Sequence, residues 1–422
     1  MKIIKYSYKF RLNPSEEQKI LLNKHFGSIR FVYNYFLNQR KEEYLNNKKS
    51  ITYNQQAGFL TQIKKEKETE WLKEINSQSL QYSLKCLDQA YQGFFNKRTQ
   101  FPQFKSKKSK NSFTVPQSTK IKNDKLHIFK FSEGIEMIME REVKGLIKHC
   151  TISKTPTGKY FVSILTEMEY QPVQKTNKSI GIDLGIKDFL VLSDGTKVKN
   201  HRFLKHYERS LKLNQKSLSR KIKGSNHYER QRLKVARIYE KITNSRMDLI
   251  HKTTLMLVKE FDIIYLEDLN IKGMSKRCKP KKDENGKCIP NGQSSKSELN
   301  KSILDVAWGI FIQTLEYKSS WNDKKIVYID RFFPSSKTCS KCGWINNNLT
   351  LKDREWICPI CGTKHNRDEN AAINIFNEGY RLNIIDENSI KNISVGTTDY
   401  GRGDQIRPEK LGIIDETSKI KK

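Results

Sequence analysis

Two short apolar runs, far apart in the chain, each stop at a single carboxylate: Gly181-Ile182-Asp183-Leu184-Gly185 and Ile263-Ile264-Tyr265-Leu266-Glu267. A brief apolar run of this kind has the pattern of a buried strand, and the acid at its end must meet water, a partner or a cation. A third acid stands in Asn366-Arg367-Asp368-Glu369-Asn370, ahead of a helical pattern through Ala371, Ala372, Ile373 and Ile375. Taken singly, each has an ordinary explanation. Gly181 and Gly185 flank Asp183 and suit a sharp turn or a close approach of backbone to a ligand. Asp368 suits the positive end of a helix. Glu267 is harder to dismiss, because an acid closing a central strand costs desolvation unless it is paired. Its neighbour Asp268 is a rival, but strand alternation sends the two side chains to opposite faces.

Just before the third acid lies Cys339-x2-Cys342-x15-Cys358-x2-Cys361. Two CxxC pairs at this separation match a four-thiolate zinc site, closed and therefore structural. Trp344 and Trp356 flank the ligands and are expected to pack around the knuckle. Cys86, Cys150, Cys278 and Cys288 show no usable spacing, and Cys86 falls on an apolar helical face as a small core residue.

The chain has 422 residues, enough for two or three domains, and carries a net charge of +33. Self-repulsion on this scale calls for a polyanionic partner, and nucleic acid fits because phosphate contacts gain affinity by counterion release. A ribosomal-type basic protein would not need the acid set or this length. No apolar run approaches the roughly 18 residues of a membrane span. The start, Met1-Lys2-Ile3-Ile4-Lys5-Tyr6, lacks the apolar core of a signal peptide. A cytoplasmic, reduced setting with no membrane partner is expected, which makes disulfides the weaker explanation of the cysteines.

Residues 3–12 alternate as a half-buried strand. Asn13-Pro14-Ser15-Glu16 reads as a helix start with Asn13 as cap and Glu16 reaching back. Helical patterns run to about 97, interrupted near Gly27 and around 46–50, with Leu80, Leu84, Leu87, Tyr91, Phe94 and Phe95 on one face. A basic run, Lys105-Ser106-Lys107-Lys108-Ser109-Lys110, precedes short strands that include 125–131 and a hairpin at Thr155-Pro156-Thr157-Gly158. Residues 171–178 read as a linker. Beyond them the pattern is α/β, with strands at 179–183, 189–192, 263–267 and 326–329 and one basic helical segment over 207–260. The stretch 272–301 shows no periodicity and predicts a lid or a disordered connection. Past about Gly379 the chain turns polar, and poor order is expected.

An acid at the end of a first strand, another ending a later strand, and a third opening a closing helix form an RNase H-like arrangement. Such carboxylates serve as ligands for two Mg²⁺ ions in phosphodiester hydrolysis. At these motifs the sequence resembles the TnpB family, insertion-sequence proteins of the OrfB transposase type related to miniature type V CRISPR effectors. The resemblance rests on 181–189, Leu266-Glu267-Asp268-Leu269, 328–342 with Phe333-Pro334-Ser335-Ser336, 358–361, 367–374, and Arg30-Phe31-Val32-Tyr33-Asn34 with Phe94-Phe95. It implies an RNA-guided DNA endonuclease whose guide RNA comes from the transposon right end. Double-stranded target DNA would be chosen by pairing plus a short flanking motif. It implies an α/β fold with β-barrel and helical lobes: a wedge β-barrel at 1–12 and 100–170, carrying a helical recognition insertion at 13–99, and the linker at 171–178. It further implies a RuvC-like nuclease at 179–338 and 364–379 and a zinc ribbon at 339–363; it covers roughly 1–378, and the poorly ordered tail expected at 380–422 lies outside it.

The family's acid triad falls on Asp183, Glu267 and Asp368, with two Mg²⁺ and one Zn²⁺ implied. Tyr53 and Gln81 are candidate readers of the flanking motif, and Lys105, Lys107 and Lys108 candidate phosphate contacts. A monomer is favoured. The alternatives are a strand-transferring transposase, which needs no RNA, and a catalytically weak RNA-guided repressor.

Overall fold

The computed structural model describes residues 1–350 and 352–394, with side chains as far as 385. Most of the expected tail, residues 395–422, lies outside the described residues.

Strand β1 (Lys2–Asn13) buries Ile4, Tyr8, Phe10 and Leu12, following its period-two pattern. Helix α1 (Glu16–Asn47) is capped by Ser15 and not by Asn13. The Gln18 amide donates to the Ser15 hydroxyl, and the Ser15 amide donates back to the Gln18 side chain. Asn13 remains in β1 and donates to Glu136. Gly27 does not interrupt α1, and a Cβ there would meet nothing within 4 Å. Helix α2 (Tyr53–Ile63), a 3-10 segment (Lys67–Glu74) and α3 (Ser77–Phe95) follow. The expected stripe on α3 buries Leu80, Leu84, Leu87 and Tyr91, while Phe95 is exposed.

Strands β2 (Asn111–Val115), β3 (Lys120–Lys122), β4 (Lys125–Ile128), β5 (Phe131–Ile138), β6 (Leu146–Lys154) and β7 (Tyr160–Tyr170) join β1 in one antiparallel sheet. Its order is β2-β6-β7-β1-β5-β4-β3. Helices α1 to α3 share its core, where Phe26, Leu37 and Leu84 meet Phe113, Ile152 and Val162.

The second sheet uses β8 (Ser179–Asp183), β9 (Asp188–Leu192) and β10 (Lys197–Lys199). Next come α4 (Phe203–Ser219) and α5 (Asn226–Glu260), then β11 (Ile263–Glu267). The helical segment expected over 207–260 is built as a pair, parted where Gly224 takes φ +89° and Ser225 caps α5. The segment 272–301, expected to be structureless, carries α6 (Ile271–Met274) at its edge, the small hairpin β12 (Lys281–Lys282) and β13 (Cys288–Ile289), and the start of α7 (Gln293–Val306). Helix α8 (Trp308–Trp321) and strand β14 (Lys325–Ile329) lead to the hairpin β15 (Glu355–Ile357) and β16 (Lys364–Asn366), then α9 (Arg367–Ser394). Regular structure therefore passes Gly379, where an end was expected. Periodicity weakens there, but the helix continues to Ser394.

The strand order is β10-β9-β8-β11-β14: β8 to β10 run antiparallel, while β8, β11 and β14 run parallel. Alternation sorts the two faces. Ile180, Ile182, Ile264 and Leu266 pack with Leu257, Phe311 and Leu315. Tyr265 packs with Ile375 of α9 on the opposite face. Here α9 comes so near that a Cβ on Gly181 would stand 2.4 Å from the Ala372 carbonyl oxygen and 2.6 Å from the Phe376 nitrogen. Gly181 is therefore a landing place for a helix, not the turn or ligand approach expected. Gly185 does make the tight turn, its Cβ position lying 2.8 Å from the Asp188 carbonyl oxygen. A second close approach sets Gly379 against the Tyr265 ring, 2.3 Å from a Cβ on the glycine.

The stretch 171–178 is bonded to the second sheet rather than loose. Tyr170 Oη and the Val173 amide donate to Asn322 Oδ1, both at 3.0 Å. The Thr176 and Asn177 amides donate to Asp262 Oδ2 at 2.9 and 2.6 Å, and buried Lys324 pairs with Asp262. No helix of the described residues is long and apolar enough to cross a membrane.

Two glycine substitutions should move stability in opposite directions. Gly181→Val is expected to destabilise by about 1–3 kcal/mol, the cost of overpacking. Gly27→Ala should stabilise by about 0.5–1 kcal/mol, because a helix-interior glycine is there without steric need. Thermal or urea unfolding of both variants checks the pair.

Candidate active site and four-cysteine centre

The strand ends and the helix start are brought together by packing already described. Asp183 lies two residues beyond Gly181, roughly 6.6 Å along the strand. Asp368 lies four residues, about 6 Å, ahead of Ala372 on the helix that lands on Gly181. In the parallel register Leu266 pairs with Ile182, so Glu267 stands beside Asp183 at the end of the next strand. Asp183 shares the parity of Gly181, and Glu267 that of Tyr265, so both face α9. Asn366 caps this helix by accepting from the Asp368 and Glu369 amides at 3.2 and 3.3 Å.

All three acids are half-buried. Burial, then the charges of Glu267 and Asp368, push the Asp183 carboxyl up to about 7, against the opposing pull of Arg367 and Arg354. Burial also raises Glu267, opposed by the Ser335 hydroxyl, which donates to its Oε1 at 2.5 Å. Arg354 stands 3.4 Å from Asp368, and Lys197 pairs with Glu369 at 2.5 Å. Asp268 is outside this group, exposed and paired with Arg331. Among the described residues, only the four cysteines gather their ligand atoms within 4.8 Å of one another. The carboxylates share a face and a field, yet stand further apart than a closed metal cage.

The cysteines form two equivalent knuckles. In each, a glycine just after the second cysteine takes positive φ (Gly343 +80°, Gly362 +67°), and its amide donates to the carbonyl of the first cysteine at 2.9 Å. Sulfur separations of 3.6 Å (Cys339–Cys361) and 3.5 Å (Cys342–Cys358) suit one tetrahedral zinc with bonds of about 2.3 Å. Thr363, through its hydroxyl and its amide, holds the Cys361 thiol low, at about 6. Trp356 and Leu349 pack on Cys339 and Cys358, with Trp344 alongside.

Other candidates are scattered. Tyr53 is half-buried against the first core, whereas Gln81 is exposed on α3. Lys107 and Lys108 are exposed. Lys105 is instead drawn over the Tyr33 ring at 3.8 Å, while its backbone exchanges hydrogen bonds with Asn34. Sequence reasoning gave no role to Ser335, although it lies in the Phe333-Pro334-Ser335-Ser336 motif, and passed over Arg354, which no pattern marks off from neighbouring basic residues. It also missed a cationic cleft of about 590 Å³ where Arg11, Lys19 and Lys159 meet Arg237 and Lys241 of α5. Those residues come together only on folding.

A family profile described as "Probable transposase" matches residues 163–277, and one described as "Cas12f1-like, TNB domain" matches 308–375. A "Helix-turn-helix domain" profile matches 1–49, a stretch that here forms β1 and the unbroken α1. A Streptomyces pristinaespiralis protein named "Putative RNA-guided DNA endonuclease" is 34% identical over 425 residues, covering 100% of this chain and 96% of its own length. Escherichia coli (strain K12) InsQ, of the same designation, is 34% identical over 378 residues, covering 89% of this chain and 92% of its own. Among solved structures, a protein from a "Cas12f1-sgRNA-target DNA complex" aligns with a TM-score of 0.49 at 13% identity, over 88% of this chain and 98% of that one.

Asp183 offers a test by stability. A carboxyl whose folded-state pKa lies above its unfolded value holds its proton more tightly when folded, so native stability falls as pH rises between the two values. Without added Mg²⁺, Asp183→Asn should therefore raise the melting temperature. The gain should be small near pH 4, grow towards pH 7 and level off above it in thermal scans. Separately, Cys339→Ser combined with Cys342→Ser should lower zinc, measured by mass spectrometry, from about one per chain to none. Unchanged zinc in that variant would refute the four-thiolate site.

Proposed function

We propose a function from one premise: the chain belongs to the TnpB family. It is an RNA-guided DNA endonuclease. We read the five-stranded unit, 179–338 with 364–379, as a RuvC-like nuclease of RNase H type. Three antiparallel strands followed by two parallel ones, with the acids at the parallel ends, support this reading. Residues 1–12 and 100–170 are taken as the wedge β-barrel, 13–99 as its recognition insertion, 171–178 as the linker and 339–363 as the zinc ribbon.

The observation that carries the reading is the meeting of Asp183, Glu267 and Asp368 on the α9 face, with Asp183 driven up to about 7. A half-buried carboxylate raised by burial and by two acid neighbours suits a divalent cation, which relieves both the repulsion and the desolvation. Asp183, Glu267 and Asp368 would hold two Mg²⁺, which when bound supply activation of the attacking water and neutralisation of the leaving 3′ oxygen. The chain's own part is placement. Strands β8 and β11 fix two acids, α9 fixes the third, and Arg354 of the ribbon balances Asp368. Zinc, in this reading, is structural and steadies the segment that leads into α9.

Guide RNA and target DNA supply the polyanion that a charge of +33 calls for. The cationic cleft between the β1 end and α5 suits phosphates, as do Lys107 and Lys108. Tyr53 and Gln81 remain our readers of the flanking motif, and Gln81 is the more accessible of the two. A strand-transferring transposase would use the same acids without RNA, so the RNA requirement separates the two readings.

Asp183→Ala, expressed with its native flanking DNA, should copurify with one discrete RNA that ends in variable sequence beyond the element. Mg²⁺-dependent cutting of a matching target should fall by at least about 100-fold. Normal cutting by this variant would sink the site assignment. Heterogeneous cellular RNA in place of a discrete species would favour the transposase.

A further inference from the structure

Glu267 is held from behind by a residue on another segment. Ser335, buried in the loop after β14, donates its hydroxyl to Glu267 Oε1 at 2.5 Å. Strand β14 lies beside β11 with Ile329 paired to Glu267, so the loop begins at the acid's own level. Its shape is held internally: the Ser335 amide donates to the Phe333 carbonyl at 2.8 Å, and the Lys337 and Thr338 amides both donate to the Pro334 carbonyl at 3.0 Å. It is also tied to α9. Asn374 Nδ2 donates to the Ser335 and Thr338 carbonyls at 2.8 and 2.6 Å. Asn370 Nδ2 donates to the Thr338 carbonyl at 2.7 Å, and Asn370 Oδ1 accepts from the Ser340 amide at 3.0 Å. Both asparagines are buried, one turn apart, on the helix whose first turn carries Asp368.

From this we infer that Ser335 is a positioning residue: its hydroxyl occupies one oxygen of Glu267, turns the other towards Asp183, and ties the angle of Glu267 to the placement of Asp368. The inference rests on reading the three acids as Mg²⁺ ligands. A donor fixed on a carboxylate favours its ionised form and prevents rotation about the last torsion, which is what a ligand needs before its cation arrives. Hydrogen-bond partners of metal-ligating groups typically contribute 10–100-fold in metal affinity or activity, an approximate range. A loop serine that merely completed a turn would leave metal dependence alone.

The test uses the full chain loaded with its RNA. Ser335→Ala should raise the Mg²⁺ concentration for half-maximal cutting by roughly 10–100-fold, with RNA content and melting temperature unchanged. Ser335→Thr, which keeps the hydroxyl, should restore the wild-type value. A second readout does not depend on cutting DNA. Fe²⁺ with ascorbate and peroxide should cleave the wild-type backbone near residues 183, 267 and 368, and Ser335→Ala should need more Fe²⁺ for the same cleavage. Unchanged Mg²⁺ and Fe²⁺ dependence in Ser335→Ala would overturn the inference. Equal impairment of the alanine and threonine variants with a lowered melting temperature would overturn it too, leaving a packing role. Asp183→Ala in the same assay keeps the outcomes distinct: normal cutting there removes the metal reading itself, whereas loss there with an unaffected Ser335→Ala removes only this inference.

Discussion

Helix α9 brings its Ala372 carbonyl to the spot that any side chain at position 181 would fill. Because that spot is empty, the helix rests directly on strand backbone, and its first turn comes to lie over the ends of β8 and β11. A contact of backbone on backbone has no rotamers to adjust, so it fixes position more rigidly than a contact between side chains. Gly379 against the buried Tyr265 ring supplies a second close point, there of backbone on a side chain. Two points on one helix define its line across the sheet. The acids then need no long side chains to reach one another, since the main chain has already carried them there.

The elements that position the acids were open to sequence reasoning because their signals are local. Strands at 179–183 and 263–267 end where the apolar runs end, and β9 and β14 each begin one residue earlier than expected. The spacing of the cysteines marks the gathering of their sulfurs, since CxxC followed by glycine encodes its own knuckle. Errors arose where two local signals competed. Asn13 and Ser15 both suit a cap, and only pairing with Gln18 decides between them. Gly27 resembles a breaker, yet α1 is long enough to pass through it. What stayed hidden depends on distant chain: Ser335 acquires meaning from Glu267, Lys105 from Tyr33, and the cationic cleft from β1 and α5 meeting.

The two sheets have separate cores but are joined by well-satisfied polar contacts. Asn322 and Asp262 accept from the linker at successive points, and Asp262 also receives buried Lys324. A buried ion pair is weak support for stability, because desolvation offsets much of its attraction. Its effect here is directional: two linker amides join Lys324 on one carboxylate only when the linker follows one path. The joint acts as a hinge pin between the sheets more than as an adhesive. The cationic cleft, lined from both units, depends on the same arrangement.

The four-cysteine ribbon interrupts the chain between the loop that carries Ser335 and the helix that carries Asp368. A long excursion at this place would let both ends wander, with an entropy that grows with the logarithm of its length. The two knuckles draw the excursion shut near its base, so the polymer path that matters to the acids becomes short. Between Cys342 and Cys358 the site is reached through Thr350, whose carbonyl accepts from Arg367, through Arg354, and through β15, which pairs with β16. An outgrowth there could lengthen, shorten or acquire a new surface while the base stays closed. Tolerance to insertion and precision of the carboxylates, usually opposed, coexist because one closed loop keeps them apart.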